Sequence, residues 1–163
     1  MRNSRFYRGL TLVECLIASA VLAFAVVAVS QAIVAGQMQT ADALHRARAL
    51  ELAEALMDEV LRLPYADPDG TGGEVGRANF DNLEDFDGFS EAPGALNDAG
   101  GTAYDAPFQT FSRSVSVVPA NGGSGISVTG FGNPLPGLLV TVTVQDAAGM
   151  TWTVTRFRAQ PPS

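Results

Sequence analysis

Glu14 is the single charge inside an apolar run that extends from Leu10 to Val29. A carboxylate within a membrane-spanning helix costs about 2.5–3.5 kcal/mol near the helix centre and less near an end, so Glu14 reads as a functional contact. Two Asp-x-Asp-Gly stretches, Asp67-Pro68-Asp69-Gly70 and Asp85-Phe86-Asp87-Gly88, offer a second chemistry. Closely spaced carboxylates on a turn-forming backbone are how a hard cation collects its roughly six to eight oxygens. Asp67, Asp69, Asp85 and Asp87 are therefore the candidate calcium ligands. They stand in no EF-hand register, and simple solvation of an acidic loop is the plainer reading. His45 and Cys15 are the only histidine and the only cysteine. One of each cannot build a structural zinc site or an intramolecular disulfide. His45 lies beside Arg46 and is expected to face solvent, which leaves little support for a nucleophile–base pair. The expectation is a protein that is not an enzyme and requires no cofactor, with calcium as the ion it could take.

The elements that must position these residues follow from composition. All ten cations are arginine, against seventeen acids, for a formal net charge of −7. Arg2, Arg5 and Arg8 crowd the first eight residues, so the rest of the chain carries seven arginines against seventeen acids, a net −10. Such a domain repels nucleic acid, and no nucleic-acid partner is expected. The run Leu10–Val29 is long enough to cross a bilayer as a helix. The basic residues before it stay cytoplasmic, which places the remainder outside. An ordinary secretory signal has a shorter apolar core, roughly 7–15 residues, followed by cleavage; Ala28-Val29-Ser30 is the one small-residue site that would suit it.

Arg8-Gly9 followed by Leu10-Thr11-Leu12-Val13-Glu14 and a continuous apolar helix resembles the class III signal of type IV prepilins and type II secretion pseudopilins. The resemblance implies that a prepilin peptidase cuts between Gly9 and Leu10 on the cytoplasmic side and methylates the new Leu10 amine. It also implies that Glu14, fifth in the mature chain, is an assembly contact for the Leu10 amine of a neighbouring subunit. Both charges would then be neutralised only in the right axial register. Gly9 presents no side chain to the peptidase. Leu56-Met57-Asp58-Glu59, Leu63-Pro64-Tyr65-Ala66-Asp67-Pro68 and the acidic, aromatic-spaced Arg77–Phe89 are similar to minor pilins of the mannose-sensitive haemagglutinin type.

Beyond Val29 helical spacing continues through Ala49, Leu52, Ala53, Leu56, Val60 and Leu63, and Pro64 ends it. Residues 1–9 are then a leader, 10–63 one long helix that is transmembrane over about 10–29, and 64–107 an acidic loop rich in Gly and Pro. A loop of that length is functional or disordered, and Phe80, Phe86, Phe89 and Tyr104 argue against full disorder. Alternation from Phe108 onward predicts strands around Val115, Val142 and Val154, with Asp146–Gly149 as a hairpin turn and Ile126–Thr129 as a short extra strand. Trp152 is expected in the core. Residues 108–163 thus supply a small antiparallel sheet, and the fold class is α+β: a long N-terminal helix, transmembrane in its first half, packed on that sheet. This is also the pilin-like fold that the resemblance implies.

The expected function is that of a minor pilin or pseudopilin, a structural subunit of a type IV pilus or type II secretion pseudopilus. Its partners would be the prepilin peptidase, other pilins or pseudopilins, and the inner-membrane assembly platform. Its place would be the inner membrane, single-pass with a periplasmic C-terminal head, and then the filament. The alternative is a pilus-associated adhesin or receptor that binds a surface or cargo through the acidic loop.

Overall fold

A computed structural model describes residues 11–68, 70, 74–120 and 136–162. The chain forms two compact units, residues 1–44 and residues 45–163. One helix, α1 (Leu12–Arg62), runs through both. It begins two residues later than the sequence suggests, because Thr11 caps it. Thr11 Oγ1 accepts the Glu14 amide at 3.3 Å, and the Thr11 carbonyl accepts the Cys15 amide at 3.1 Å. Thr11-x-x-Glu14 is the spacing of a capping box. The helix ends just before Leu63 and Pro64, as the missing proline N–H and its restriction on the preceding residue dictate.

In the first unit the helix is exposed throughout, with Leu12, Leu16, Val21, Phe24, Val29 and Val34 all bare, and up to Val29 it is apolar around its circumference save for Glu14 and Ser19. It is the one helix among the described residues long and apolar enough to cross a membrane. Its hydroxyls do not interrupt it: Ser19 and Ser30 donate to the carbonyls of Leu16 and Val26, at 2.9 and 2.8 Å. Both hydroxyls are thereby satisfied by the helix's own backbone without water.

The second unit is built from the rest of α1 and four strands, β1 (Ser90–Glu91), β2 (Ser112–Pro119), β3 (Gly137–Gln145) and β4 (Thr151–Ala159). They form one antiparallel sheet in the order β1-β2-β3-β4. Strict alternation gives the sheet one core face, where Val115, Val117, Val140, Val142 and Val144 are buried. Ala49, Leu52, Ala53, Leu56, Met57 and Val60 of α1 close on that face, and Trp152 packs at its margin. Each fully buried aliphatic side chain contributes about 1.5–3 kcal/mol. At Gly137 a Cβ would lie 2.6 Å from the Phe157 ring carbons and closer still to the Arg158 carbonyl, so only glycine lets that ring cover the backbone. Gly149, at φ +84°, turns the β3–β4 hairpin.

Ile126–Thr129 lies outside the described residues, and among the described ones a fourth strand joins the sheet. It is β1, drawn from the acidic segment. Phe108–Thr110, where alternation begins in the sequence, is turn rather than strand, and β2 starts at Ser112. The acidic segment also contributes two single 3-10 turns, Arg77–Asn79 and Glu84–Phe86, and an isolated bridge between Asn97 and Ala103.

Candidate functional site

Gly9 and Leu10, the candidate cleavage and methylation residues, lie outside the described residues, as does Asp69. Glu14 is described, exposed in the first turn of α1. Its position there is favourable, because the unpaired amides of a helix N-terminus attract a carboxylate. Cys15, beside it, is an exposed free thiol.

Of the four aspartates proposed for calcium, the three described ones, Asp67, Asp85 and Asp87, each accept backbone amides. Asp67 Oδ1 accepts the Gly70 amide at 2.7 Å, closing its own turn. Asp85 Oδ2 accepts the amides of Asp81 and Asn82, at 3.0 and 3.1 Å. Burial pushes the Asp85 carboxyl up, but a hydrogen bond with Glu74 and those two amides outweigh it and hold it below the usual range. The bond with Asp85 in turn raises Glu74. Asp87 Oδ1 takes the Val117 amide at 2.8 Å. Among the described residues no group of three His, Cys, Asp or Glu side chains is placed to hold a metal ion.

The segment is organised instead by two arginines. Arg113 alternates with Val115 and Val117, so the pleat carries it into the core, where its side chain is fully buried. Glu91 faces it across the β1–β2 ladder and accepts from its Nε. Its Nη2 donates to the Asn97 carbonyl, and its guanidinium lies 5.3 Å from the centre of the Tyr104 ring. Its Nη1 is buried without a hydrogen-bond partner. The other oxygen of Glu91 accepts from Arg77 Nη1 at 3.0 Å. Arg77 also donates to both carboxylate oxygens of Glu59 on α1, with Nε to Oε1 at 2.7 Å, and stacks 5.6 Å from the Phe89 ring centre. Burial lowers the Arg77 pKa, but Glu59 and Glu91 more than restore it, and the net direction is upward. Phe80, Phe86 and Phe89 form edge-to-face contacts 4.8–6.0 Å apart beneath this network. A cleft of about 460 Å³ opens beside it, lined by Arg77, Phe89, Glu91, Asn97 and Asp98 among others. Its polar groups are engaged within the chain: Asp98 Oδ1, for example, takes the Gly100 and Thr102 amides at 2.9 and 2.8 Å.

His45 does not simply face solvent. It is the first residue of the second unit, and its Nε2 lies 3.0 Å from Asp146 Oδ2 in the β3–β4 turn. Its ring sits 4.6 Å from Phe111 and 5.6 Å from Trp152. Asp146 serves two ends, since its Oδ1 accepts the turn amides of Ala148 and Met150 at 2.9 and 2.8 Å. Desolvation pushes its carboxyl up, but the Met150 amide, His45 and the Ala148 amide together hold it below the usual range. Periodicity marks Arg113 as inward-facing; nothing local in the sequence names Glu91, Glu59 or Asp146 as partners, because each lies on a different element.

Comparison of the chain with protein-family models, with curated proteins and with solved structures gives no match.

Proposed function

We propose that this chain is a minor pilin or pseudopilin, a structural subunit that enters a type IV pilus or type II secretion pseudopilus after cleavage between Gly9 and Leu10. One observation carries the reading. A single helix is bare and apolar over a membrane-spanning length, and its continuation packs on a four-stranded antiparallel sheet. That is the pilin-like architecture, and in this chain it stands directly behind the Gly9-Leu10-x-x-x-Glu14 signal. The protein then works by assembly rather than by catalysis. Its partners are the prepilin peptidase, other pilins or pseudopilins and the inner-membrane platform, and nucleic acid is not among them. It sits first in the inner membrane, with its head periplasmic, and afterwards in the filament. Glu91 of the acidic segment and Glu59 of α1 both bind internal arginines, which favours a structural part over an adhesin that binds through that loop.

The test is recruitment. A carboxylate that only reaches the headgroups is replaceable, and Glu14→Leu would improve the membrane helix. A carboxylate that receives a neighbour's terminal amine is not. Glu14→Leu and Glu14→Gln should both insert normally and both co-purify poorly with partner pilins at matched membrane levels. Gln keeps the capping geometry and lacks the charge, so a shared loss reports the charge. Undiminished recovery of both variants would remove Glu14 as an assembly contact.

A further inference from the structure

The sheet ends differently on its two sides. Beside β1, the outer edge of β2 is closed. Val115 exchanges backbone bonds with Gly88 and Phe89 at 3.2 and 2.9 Å, and Asp87 Oδ1 takes the Val117 amide at 2.8 Å, standing where another strand's carbonyl would. The opposite edge is β4, nine residues in unbroken register with β3 and without proline. Bonds from Asp146 to Met150 and from Gln160 to Pro136, at 3.0 and 2.9 Å, bracket that ladder. Bonded residues alternate in an antiparallel pair. Trp152, Val154, Arg156 and Arg158 therefore bond to β3, while Thr151, Thr153, Thr155, Phe157 and Ala159 turn their N–H and C=O groups outward. Among the described residues nothing bonds to those outward groups.

A long open edge is a template for another strand, and natural sheets blunt such edges with charge, proline or bulges. Here the blunting is selective. The only charges on β4 are Arg156 and Arg158, on a chain whose acids outnumber its arginines seventeen to ten. A second copy would bring the same two cations to the seam. A strand bearing carboxylates would pair with them: Arg158 is exposed, and Arg156 holds Glu54 only in an exposed pair at 3.2 Å. We propose that the free edge of β4 accepts, by strand addition, an extended segment of a partner protein with acidic side chains at alternate positions. Main-chain bonds to Thr153, Thr155 and Phe157 supply affinity, and Arg156 and Arg158, two apart on the core side of the sheet, select the charge of the incoming strand. The membrane anchor and the leader play no part in this contact, so it can fail or succeed independently of the pilin reading.

The probe is a synthetic peptide of roughly ten residues, a strand's length, alternating Glu with Val. It is offered to the full chain in detergent, with a Lys–Val peptide as control. The acidic peptide should bind saturably and the basic one should not. Thr155→Pro removes an outward N–H and no bond to β3, and should weaken binding about tenfold. Arg158→Glu should shift the preference toward the basic peptide. Amide exchange on the free protein reads the same edge without a variant: Thr153, Thr155 and Phe157 should exchange quickly, Val154 and Arg156 slowly. Slow exchange at both sets would mean that the chain covers its own edge, and dimerisation through β4 that a second copy does. Either result overturns the proposal, as does an acidic peptide that does not bind or that binds Thr155→Pro undiminished.

Discussion

Glu91 holds Arg113 with one carboxylate oxygen and Arg77 with the other, and the cost of losing it follows from what it would leave behind. Arg113 has no exposed side-chain surface, so Glu91→Ala strands a buried cation that already has one unpartnered nitrogen. Removing one partner of a buried pair typically destabilises by about 3–5 kcal/mol. Urea unfolding of Glu91→Ala should show a loss of that order, whereas Glu84→Ala, an exposed acid of the same segment, should stay within about 0.5 kcal/mol of the parent. Equal small losses would mean that the network is decorative. Asp146 makes a pH prediction. Its folded pKa lies below the ordinary value near 3.9, so its contribution is present above that value and is lost as pH falls through the folded pKa. Asp146→Asn keeps an acceptor for the turn amides and removes the charge. The gap in Tm between parent and variant should therefore be full at pH 5 and close as the pH approaches 2. A gap that persists unchanged into acid would show that the charge contributes nothing.

At the scale of elements, the acidic segment is where sequence and structure diverge most. Ten acids around one arginine within residues 64–107 read as solvation or as calcium binding, because the second arginine lies outside the segment. Arg113 belongs to β2, and only the β1–β2 pairing brings it opposite Glu91. Two guanidinium groups thus supply cationic charge inside the segment, while Asp67, Asp85 and Asp87 bond to backbone amides. The expected consequence is that the full chain in detergent melts at the same temperature in chelator and in millimolar calcium. Binding at a hundredfold excess over Kd would stabilise by about 2.7 kcal/mol, so a calcium-dependent rise of several degrees would restore the metal reading. The strands themselves were legible from alternation, including the core face of Val140, Val142 and Val144 and the half-buried Trp152. Nothing beside His45 in the sequence points to Asp146, because Arg46 is exposed and the hairpin that brings Asp146 to His45 lies a hundred and one residues away. The Thr11–Glu14 cap is legible from the Thr-x-x-Glu spacing alone.

At the scale of the whole molecule, one sequence serves two solvents. Residues 12–44 expose apolar side chains as α1 continues, and from His45 onward the same helix buries Ala49, Leu52, Leu56 and Val60 against a sheet. The change shows in the sequence as polar residues enter at Ser30, Gln31 and Gln37, since a helix with apolar residues all round suits lipid and a striped one suits a core. An anchor that stays on the mature chain requires processing on the N-terminal side of the apolar run, and that requirement separates a pilin-type subunit from a secreted protein with an ordinary signal. Mass spectrometry of the chain co-expressed with a prepilin peptidase measures it directly. The proposed function predicts a mature protein nine residues shorter that begins with N-methylated Leu10, and a Gly9→Val variant that inserts but keeps its leader. An intact leader on the parent chain, or a terminus at Gln31, would contradict it.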